Sequence, residues 1–239
     1  MNSNIEGVGE VAKPSTLKEK ISNYWYHYKW HSVAAIIAII AILVCSLQFC
    51  SKESYDVHIL YAGSKSIGRT VSNGTPAEIE TVITSLKRVT KDYDGDGEKN
   101  IAFTNYIFYS ADELQELGTD VNQSYVNEDK KSLESTLNFS EYYLCFISPA
   151  VYEEYNNVGG LDMFAPLPQY EGVEYYKSNA IYLSSLDFYK MPGISNLPSD
   201  TLVCIRTPNV LASKSEEHVK YVENANDMLN TVINFKIAD

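Results

Sequence analysis

The chain has 239 residues, of which 45% are hydrophobic, and a formal net charge of −12. This length suits one domain with smaller additions, and the apolar content is enough for a hydrophobic core. Residues 51–239 hold 28 Asp and Glu against 15 Lys and Arg. Such an acidic surface repels nucleic acid, so nucleic acid is excluded as an expected partner. Four cysteines are too few for a fold built on disulfides.

The first thirty or so residues predict a tail followed by a helix. Residues 1–15 are polar and lack hydrophobic periodicity, so we expect a disordered cytoplasmic tail. Thr16 and Glu19 have the spacing of a capping box, which indicates a helix start. Residues 16–31 then carry apolar side chains on one helical face and a dense aromatic cluster, Tyr24, Trp25, Tyr26, Tyr28 and Trp30. Indole and phenol rings settle at the headgroup level, so this segment is predicted to be a juxtamembrane amphipathic helix.

Residues 32–50 are predicted to form a transmembrane helix. They carry no charge and include the apolar run 33–47. At about 1.5 Å per residue they just cross a hydrocarbon core of roughly 30 Å. A buried core helix and a cleaved signal peptide are the alternatives, but the long preceding segment and the absence of a small-x-small site favour an uncleaved anchor. The lysines before the run (Lys13, Lys18, Lys20 and Lys29) predict a cytoplasmic N-terminus in the cell membrane and an extracellular C-terminal domain.

Residues 51–239 alternate between strand and helix patterns. The strand patterns lie at 55–62, 100–109, 141–148, 180–183 and 202–205, and the helix patterns at 75–89, 110–118, 127–138, 149–155 and 213–235. The third strand pattern is apolar on both faces, as in a sheet covered by helices on both sides. The fold class is therefore predicted to be α/β, with a mixed, largely parallel sheet whose last two strands return antiparallel.

Two segments resemble known proteins. Tyr28 to His31, running into the apolar helix, resembles a class of small single-pass membrane proteins of Gram-positive bacteria. Over residues 55–239, the order of strands and helices and the Tyr-Tyr-Leu-Cys-Phe-Ile-Ser-Pro-Ala-Val-Tyr segment at 142–152 are similar to the first lobe of type 2 solute-binding proteins. The resemblance implies a solute-binding-protein-like domain. The chain departs from that family because it is too short for two full lobes.

An acidic segment after the first helix of this domain resembles the opening of a calcium loop. Asp92, Asp94 and Asp96 alternate, a glycine follows, and Asn100 falls at the ninth position. Alternate carboxylates can converge on a hard cation. The twelfth position, where a bidentate Glu belongs, is Phe103. We therefore expect weak calcium binding at most and no other cofactor, and the alternative is an acidic turn chosen for its geometry.

Three serines follow the first three strand patterns. Ser64, Ser110 and Ser148 would meet at the carboxyl edge of a parallel sheet, where such folds bind ligands. They are candidate ligands for a small polar solute, and each could instead be a helix cap. A pocket at these serines would favour solute binding, whereas a flat apolar patch would favour docking on a partner.

Catalysis finds little support. The domain has two histidines, His58 and His218, and no recognisable nucleophile elbow, zinc or phosphate-loop motif. Cys145 and Cys204 lie in apolar strand patterns, where a thiolate is disfavoured. They could pair if their strands are neighbours, or simply be small buried residues.

The sequence therefore predicts a non-enzymatic, membrane-anchored extracytoplasmic binding or accessory module. The alternative is an interaction subunit that docks on a membrane complex without binding a small molecule. Its expected partners are the lipid bilayer and either a small polar solute or a membrane protein. A tyrosine-rich segment suits protein or glycan contact, or an ordinary exposed rim: Tyr152, Tyr155, Tyr170, Tyr175 and Tyr176.

Overall fold

The computed structural model describes residues 16–50, 54–68, 76–156 and 162–237. They form two compact units that divide between Glu53 and Ser54. The predicted disordered tail, residues 1–15, lies outside the described residues, as does Thr75, the expected cap of the next helix.

The first unit is one continuous helix, α1 (Leu17–Cys50). Residues 16–31 and 32–50, predicted as separate segments, thus join without a break. The stretch Lys20–Ser46 is long and apolar enough to cross a membrane, and its side chains are not buried. Length and composition support a single span near the N-terminus, and a signal sequence would satisfy the same criterion.

The second unit is an α/β domain. Its strands are β1 (Val57–Gly63), β2 (Ile101–Ile107), β3 (Leu144–Ile147), β4 (Tyr175–Tyr176), β5 (Ala180–Tyr182) and β6 (Leu202–Ile205). Its α-helices are α2 (Ala77–Val89), α3 (Ala111–Leu117), α4 (Gln123–Phe139), α5 (Pro149–Tyr155) and α6 (Glu216–Ile233). Short 3-10 turns fill much of the segment between β5 and β6.

The sheet has the strand order β2-β1-β3-β6-β5-β4. The β1–β2 and β1–β3 pairs are parallel, while β3–β6, β5–β6 and β4–β5 are antiparallel. The prediction of a mixed α/β sheet is confirmed, but "largely parallel" was wrong, because only the β2-β1-β3 half is parallel. The two-residue strand β4 was not predicted, since two residues are too few to show a periodicity.

The core lies on both faces of this sheet. Ile59 and Tyr61 face one apolar cluster with α2 and α6, while Leu60 and Ala62 face a second cluster with α4 and α5. Strand residues alternate between the faces, so one strand serves both clusters. The chain after β1 leads to the first face, whereas the chain after β2 and β3 leads to the second. Such a reversal opens a crevice at the carboxyl ends of the parallel strands.

Arg206, directly after β6, is buried against the end of α4. Its side chain is 1% exposed. The guanidinium donates to the carbonyl oxygens of Leu137 and Tyr142, each at 3.0 Å, and to that of Ser140. It also lies 4.3 Å from the centre of the Tyr143 ring. A cation here satisfies carbonyls left free at the end of α4, where the helix dipole is negative.

Candidate functional site

The three serines predicted to bind a ligand lie around one pocket. Ser64, Ser110 and Ser148 all line a cavity of about 250 Å³. It opens at the carboxyl ends of β1, β2 and β3, beside the start of the antiparallel strand β6. We call it the serine pocket, and its lining is Tyr61, Gly63, Ser64, Ser110, Glu113, Ser148, Pro149, Ala150, Pro198, Asp200 and Thr201.

Two of these serines also cap helices. The Ser110 hydroxyl accepts from the Glu113 N–H at 3.2 Å, and the Glu113 carboxylate accepts from the Ser110 N–H at 2.7 Å. The Ser148 hydroxyl accepts from the Val151 N–H at 3.3 Å. Each hydroxyl keeps its own proton for donation. The capping alternative is thus confirmed for both residues, and capping fixes their hydroxyls at the pocket wall.

Tyr61, the last large side chain of β1, was missed by the sequence analysis. It is 1% exposed, and its hydroxyl has no hydrogen-bond partner of standard geometry within the described residues. Burial raises the pKa of Tyr61 above its usual value, the charge of Asp200 adds to this, and the backbone N–H of Lys65 opposes it. A buried polar atom without a partner is costly and uncommon in native proteins. A bound solute would satisfy it.

Gly63 keeps space open beside this hydroxyl. A methyl group there would lie 3.0 Å from the Tyr61 oxygen and 3.6 Å from the Ser148 Cβ. The first distance is tighter than most contacts of a Cβ atom, and the second is an ordinary van der Waals contact, so a side chain at this position would crowd the Tyr61 hydroxyl. The glycine that ends β1 therefore contributes to the shape of the serine pocket.

The charged groups of the serine pocket are acidic. Glu113 and Asp200 line it, and none of its described lining residues is Lys or Arg. The nearby Lys65 directs its amine to the Asn196 carbonyl oxygen. Asp200 reaches this edge because β6 runs antiparallel to β3, so the start of β6 lies beside the end of β3.

The predicted calcium segment folds as a network of turns. Asp92 accepts from the N–H groups of Gly95 at 2.6 Å and Gly97 at 2.9 Å, and Asp94 accepts from the Asp96 N–H and the Ser54 hydroxyl. The two bonds that Asp94 accepts lower the pKa of its carboxyl group, and the bond from the Ser54 hydroxyl has the larger effect. The carboxylates thus serve as turn acceptors, which supports the acidic-turn alternative.

The structure groups the acidic side chains differently from the prediction. Oxygens of Asp92 and Asp94 lie within 4.8 Å of an oxygen of the buried Asp56, which the sequence analysis had not included. Asp56 accepts from the N–H groups of Tyr93 at 2.5 Å and Asn100 at 2.8 Å. Asn100 therefore enters the network through its backbone. The third carboxylate of the group is Asp56 in place of Asp96.

The cysteines and histidines of the α/β domain are engaged in packing or hydrogen bonding. Cys145 and Cys204 lie opposite each other on neighbouring strands and are both free and buried. Burial raises the pKa of Cys204 well above its usual value, so the thiol form is favoured. His218 Nδ1 is 2.6 Å from the Tyr143 hydroxyl. His58 is buried, with Nε2 3.5 Å from the Glu141 carboxylate.

The tyrosine-rich segment is only partly a surface. Tyr152 and Tyr155 are buried, so their assignment to an exposed contact face was wrong. Tyr152 stacks on Phe164 with ring centres 5.4 Å apart. Tyr152 and Tyr155 point inward because α5 packs on the second face of the sheet. Tyr170, Tyr175 and Tyr176 are half-buried.

A larger cavity, of about 600 Å³, lies between α4, α5 and the segment after β6. Arg206 and Tyr155 line it, and the buried Tyr155 hydroxyl has no hydrogen-bond partner within the described residues. Nothing in the sequence pattern indicated this cavity, because it is formed by residues distant in the chain.

Comparison with known proteins gives no indication of function, so the function has to be inferred from the structure. No protein-family model, no curated protein and no solved structure matches this chain. The class that the fold and the serine pocket define is an α/β domain with a crevice at a strand-order reversal, preceded by one apolar helix.

Proposed function

We propose that this protein is a membrane-anchored, extracytoplasmic and non-enzymatic module that binds a small polar solute. The observation that carries the proposal is the serine pocket, whose wall includes the Tyr61 hydroxyl without a hydrogen-bond partner of standard geometry in the described part of the chain. The location agrees with the rule that open α/β sheets bind ligands where the strand order reverses. We include in this proposal the resemblance of the domain to the first lobe of type 2 solute-binding proteins.

The anchor and orientation belong to the same proposal. The apolar stretch Lys20–Ser46 supports membrane attachment, and the lysines that precede the apolar core of the helix favour a cytoplasmic N-terminus. In this arrangement the module holds a solute at the outer surface of the cell membrane, where it can deliver or report the solute to a membrane partner.

The direct test is retention of a small molecule by the full-length protein in lipid nanodiscs. The protein is incubated with a metabolite extract, washed, and analysed by native mass spectrometry. Ser64→Trp places an indole in the pocket, and Ser66→Trp is the matched control, because Ser66 is exposed on the same loop and does not line the pocket.

The proposal predicts a bound species in the wild type and in Ser66→Trp, and its loss in Ser64→Trp. Equal retention by all three proteins would place binding elsewhere. Absence of any bound species across extracts of different origin would contradict solute binding.

Docking on a membrane complex is the second candidate, and one observation favours it. Phe139, Val210 and Leu211 are 80%, 73% and 81% exposed. They lie at one corner of the domain, where the Asn209 amide donates to the Asn138 carbonyl oxygen at 2.8 Å. Exposed apolar clusters can mark interaction sites.

A photocrosslinking amino acid at Leu211 tests the docking candidate in cells. The control position is Tyr125, an exposed residue at the other end of α4. A discrete membrane-protein adduct from position 211 and none from position 125 would favour docking. No adduct from either position would count against it.

A further inference from the structure

Several backbone N–H groups at the serine pocket are already engaged in hydrogen bonds. The N–H groups of Ser110, Glu113 and Val151 are already bonded to capping side chains. The Ser148 N–H donates to the Ala62 carbonyl oxygen at 2.8 Å. Pro149 and Pro198 have no N–H at all. Anion sites in proteins depend on such donors, so the pocket is poorly equipped for a phosphate or a carboxylate.

The charged side chains of the serine pocket also disfavour an anion. The carboxylates of Glu113 and Asp200 lie in the wall, without a basic side chain among the described residues that line it. The whole segment 51–239 is strongly acidic as well, with 28 acidic against 15 basic residues. A field of one sign concentrates ligands of the opposite sign near a cleft.

The Tyr61 hydroxyl is an independent indication of a ligand. It is almost fully buried, has no hydrogen-bond partner of standard geometry among the residues that the structure describes, and lies close to Gly63, where a side chain would crowd it. Because a phenol both donates and accepts, it can contact either an ammonium or a hydroxyl group. Burial favours the neutral form, so it adds no charge that would attract an anion or repel a cation.

The size of the pocket limits the ligand. A cavity of about 250 Å³ holds roughly eight water molecules at about 30 Å³ each. This is below the usual range of pockets for drug-sized ligands, roughly 300–1,000 Å³. A short-chain metabolite fits, whereas a nucleotide or an oligosaccharide does not.

We propose that the serine pocket binds a small aliphatic amine as its ammonium form, with the cation between Asp200 and Glu113 and a polar end near Tyr61. This inference rests on the proposed function and narrows its ligand class. The serine hydroxyls accept from the ammonium group or donate to the polar end.

The test uses three probes with one four-carbon skeleton. Full-length protein in phosphatidylcholine nanodiscs, which carry no net surface charge, is titrated by calorimetry with 4-aminobutan-1-ol, butane-1,4-diol and 4-hydroxybutanoate. We expect binding of the amine and at least about fivefold weaker binding of the diol and the acid, the discrimination of one favourable charge contact.

Variants assign the effect to the pocket. Asp200→Asn should weaken binding of the amine by about fivefold and leave the diol unchanged, because Asp200 is exposed enough that its loss need not disturb folding. Asp112→Asn removes the same charge from an exposed position next to Glu113 and outside the pocket, so it should change affinity less than about twofold.

Three results would overturn the inference. Binding of the diol or the acid as tightly as the amine would refute a cation site while leaving solute binding intact. An equal effect of Asp112→Asn and Asp200→Asn would show only a general response to charge. Failure of all three probes to bind would refute a site for short amines, and the retention experiment with metabolite extracts then decides separately whether the module binds any solute.

Discussion

Replacing Arg206 with Met should destabilise the α/β domain by about 3 kcal/mol. The guanidinium satisfies the carbonyls of Leu137, Ser140 and Tyr142, and the bond to Leu137 is fully buried. A buried acceptor left without a donor costs about 1–3 kcal/mol, and the two partly buried ones cost about 1 kcal/mol each. Met fills much of the same volume and avoids the desolvation of a cation, which returns about 1 kcal/mol or more.

The assay is equilibrium unfolding in urea, followed by far-ultraviolet circular dichroism. In a parallel thermal unfolding experiment, a loss of about 3 kcal/mol would lower the midpoint of a domain of this size by roughly 6–12 °C. Arg206→Lys should be intermediate, because a lysine keeps the charge but lacks the planar fork that reaches several carbonyls at once. Lys214→Met, an exposed cation on the following segment, should change stability by less than about 0.5 kcal/mol.

A Met variant as stable as the wild type would refute this reasoning. It would show that desolvation of the guanidinium offsets its hydrogen bonds, as happens for some buried ion pairs. The end of α4 would then be held by the apolar packing of its neighbours, and Arg206 would have no net role in stability.

Four further outcomes follow from the structure. Protease added to intact cells without an outer barrier should digest residues 51–239 and spare the N-terminal tail, and full protection of that domain would contradict the topology. Residues 51–239 expressed alone should fold as a soluble monomer, because their core is self-contained; aggregation in mild buffer would argue otherwise. Calcium at millimolar concentration should raise stability by at most about 1 kcal/mol, and a large rise in thermal midpoint that is lost in Asp94→Asn would show a true metal site at Asp56, Asp92 and Asp94. Burial lowers the pKa of His58, although the Glu141 carboxylate opposes this, so His58 binds a proton more readily in the unfolded chain than in the folded one. The stability of the domain should therefore fall as the pH drops through about 6.5. If His58→Phe had the same pH profile as the wild type, His58 would not be the cause of this loss.

Local patterns predicted most of the secondary structure. Apolar runs predicted β1, β3 and β6 within a few residues, because strands buried on both faces leave continuous hydrophobic sequence. The strand β2 was also predicted, although only its first two residues are buried. Ser110 and Ser148 were predicted as possible caps because a hydroxyl that accepts from an N–H three residues later is a local feature. The topological rule for open sheets then placed them with Ser64 at one edge.

Long-range features were beyond local patterns. Asp56 joins Asp92 across 36 positions of sequence, and Arg206 reaches the end of α4 across about 70. Neither position differs in its local sequence from an ordinary surface residue. Tyr152 was predicted on the surface because a tyrosine tolerates both environments, and only the packing of α5 on the sheet decides between them.

Two residues of the serine pocket could have been found. Tyr61 is an aromatic residue with a polar tip near the end of a largely aliphatic strand, two residues before a glycine. Asp200 precedes a strand expected to return antiparallel, which brings its start to the carboxyl edge of the parallel strands. Applying the edge rule to both strand directions would have included Asp200.

The central claim is that a solute binds at the serine pocket, and nuclear magnetic resonance of the isotope-labelled domain in the presence of 4-aminobutan-1-ol tests it most directly. The account predicts that backbone amide shifts change around Ser64, Ser110, Ser148 and Asp200, and that Tyr61→Phe weakens the response. Shift changes centred on Asn209 and the larger cavity would contradict it. So would a spectrum that changes neither at saturating amine nor with any metabolite retained in the nanodisc experiment.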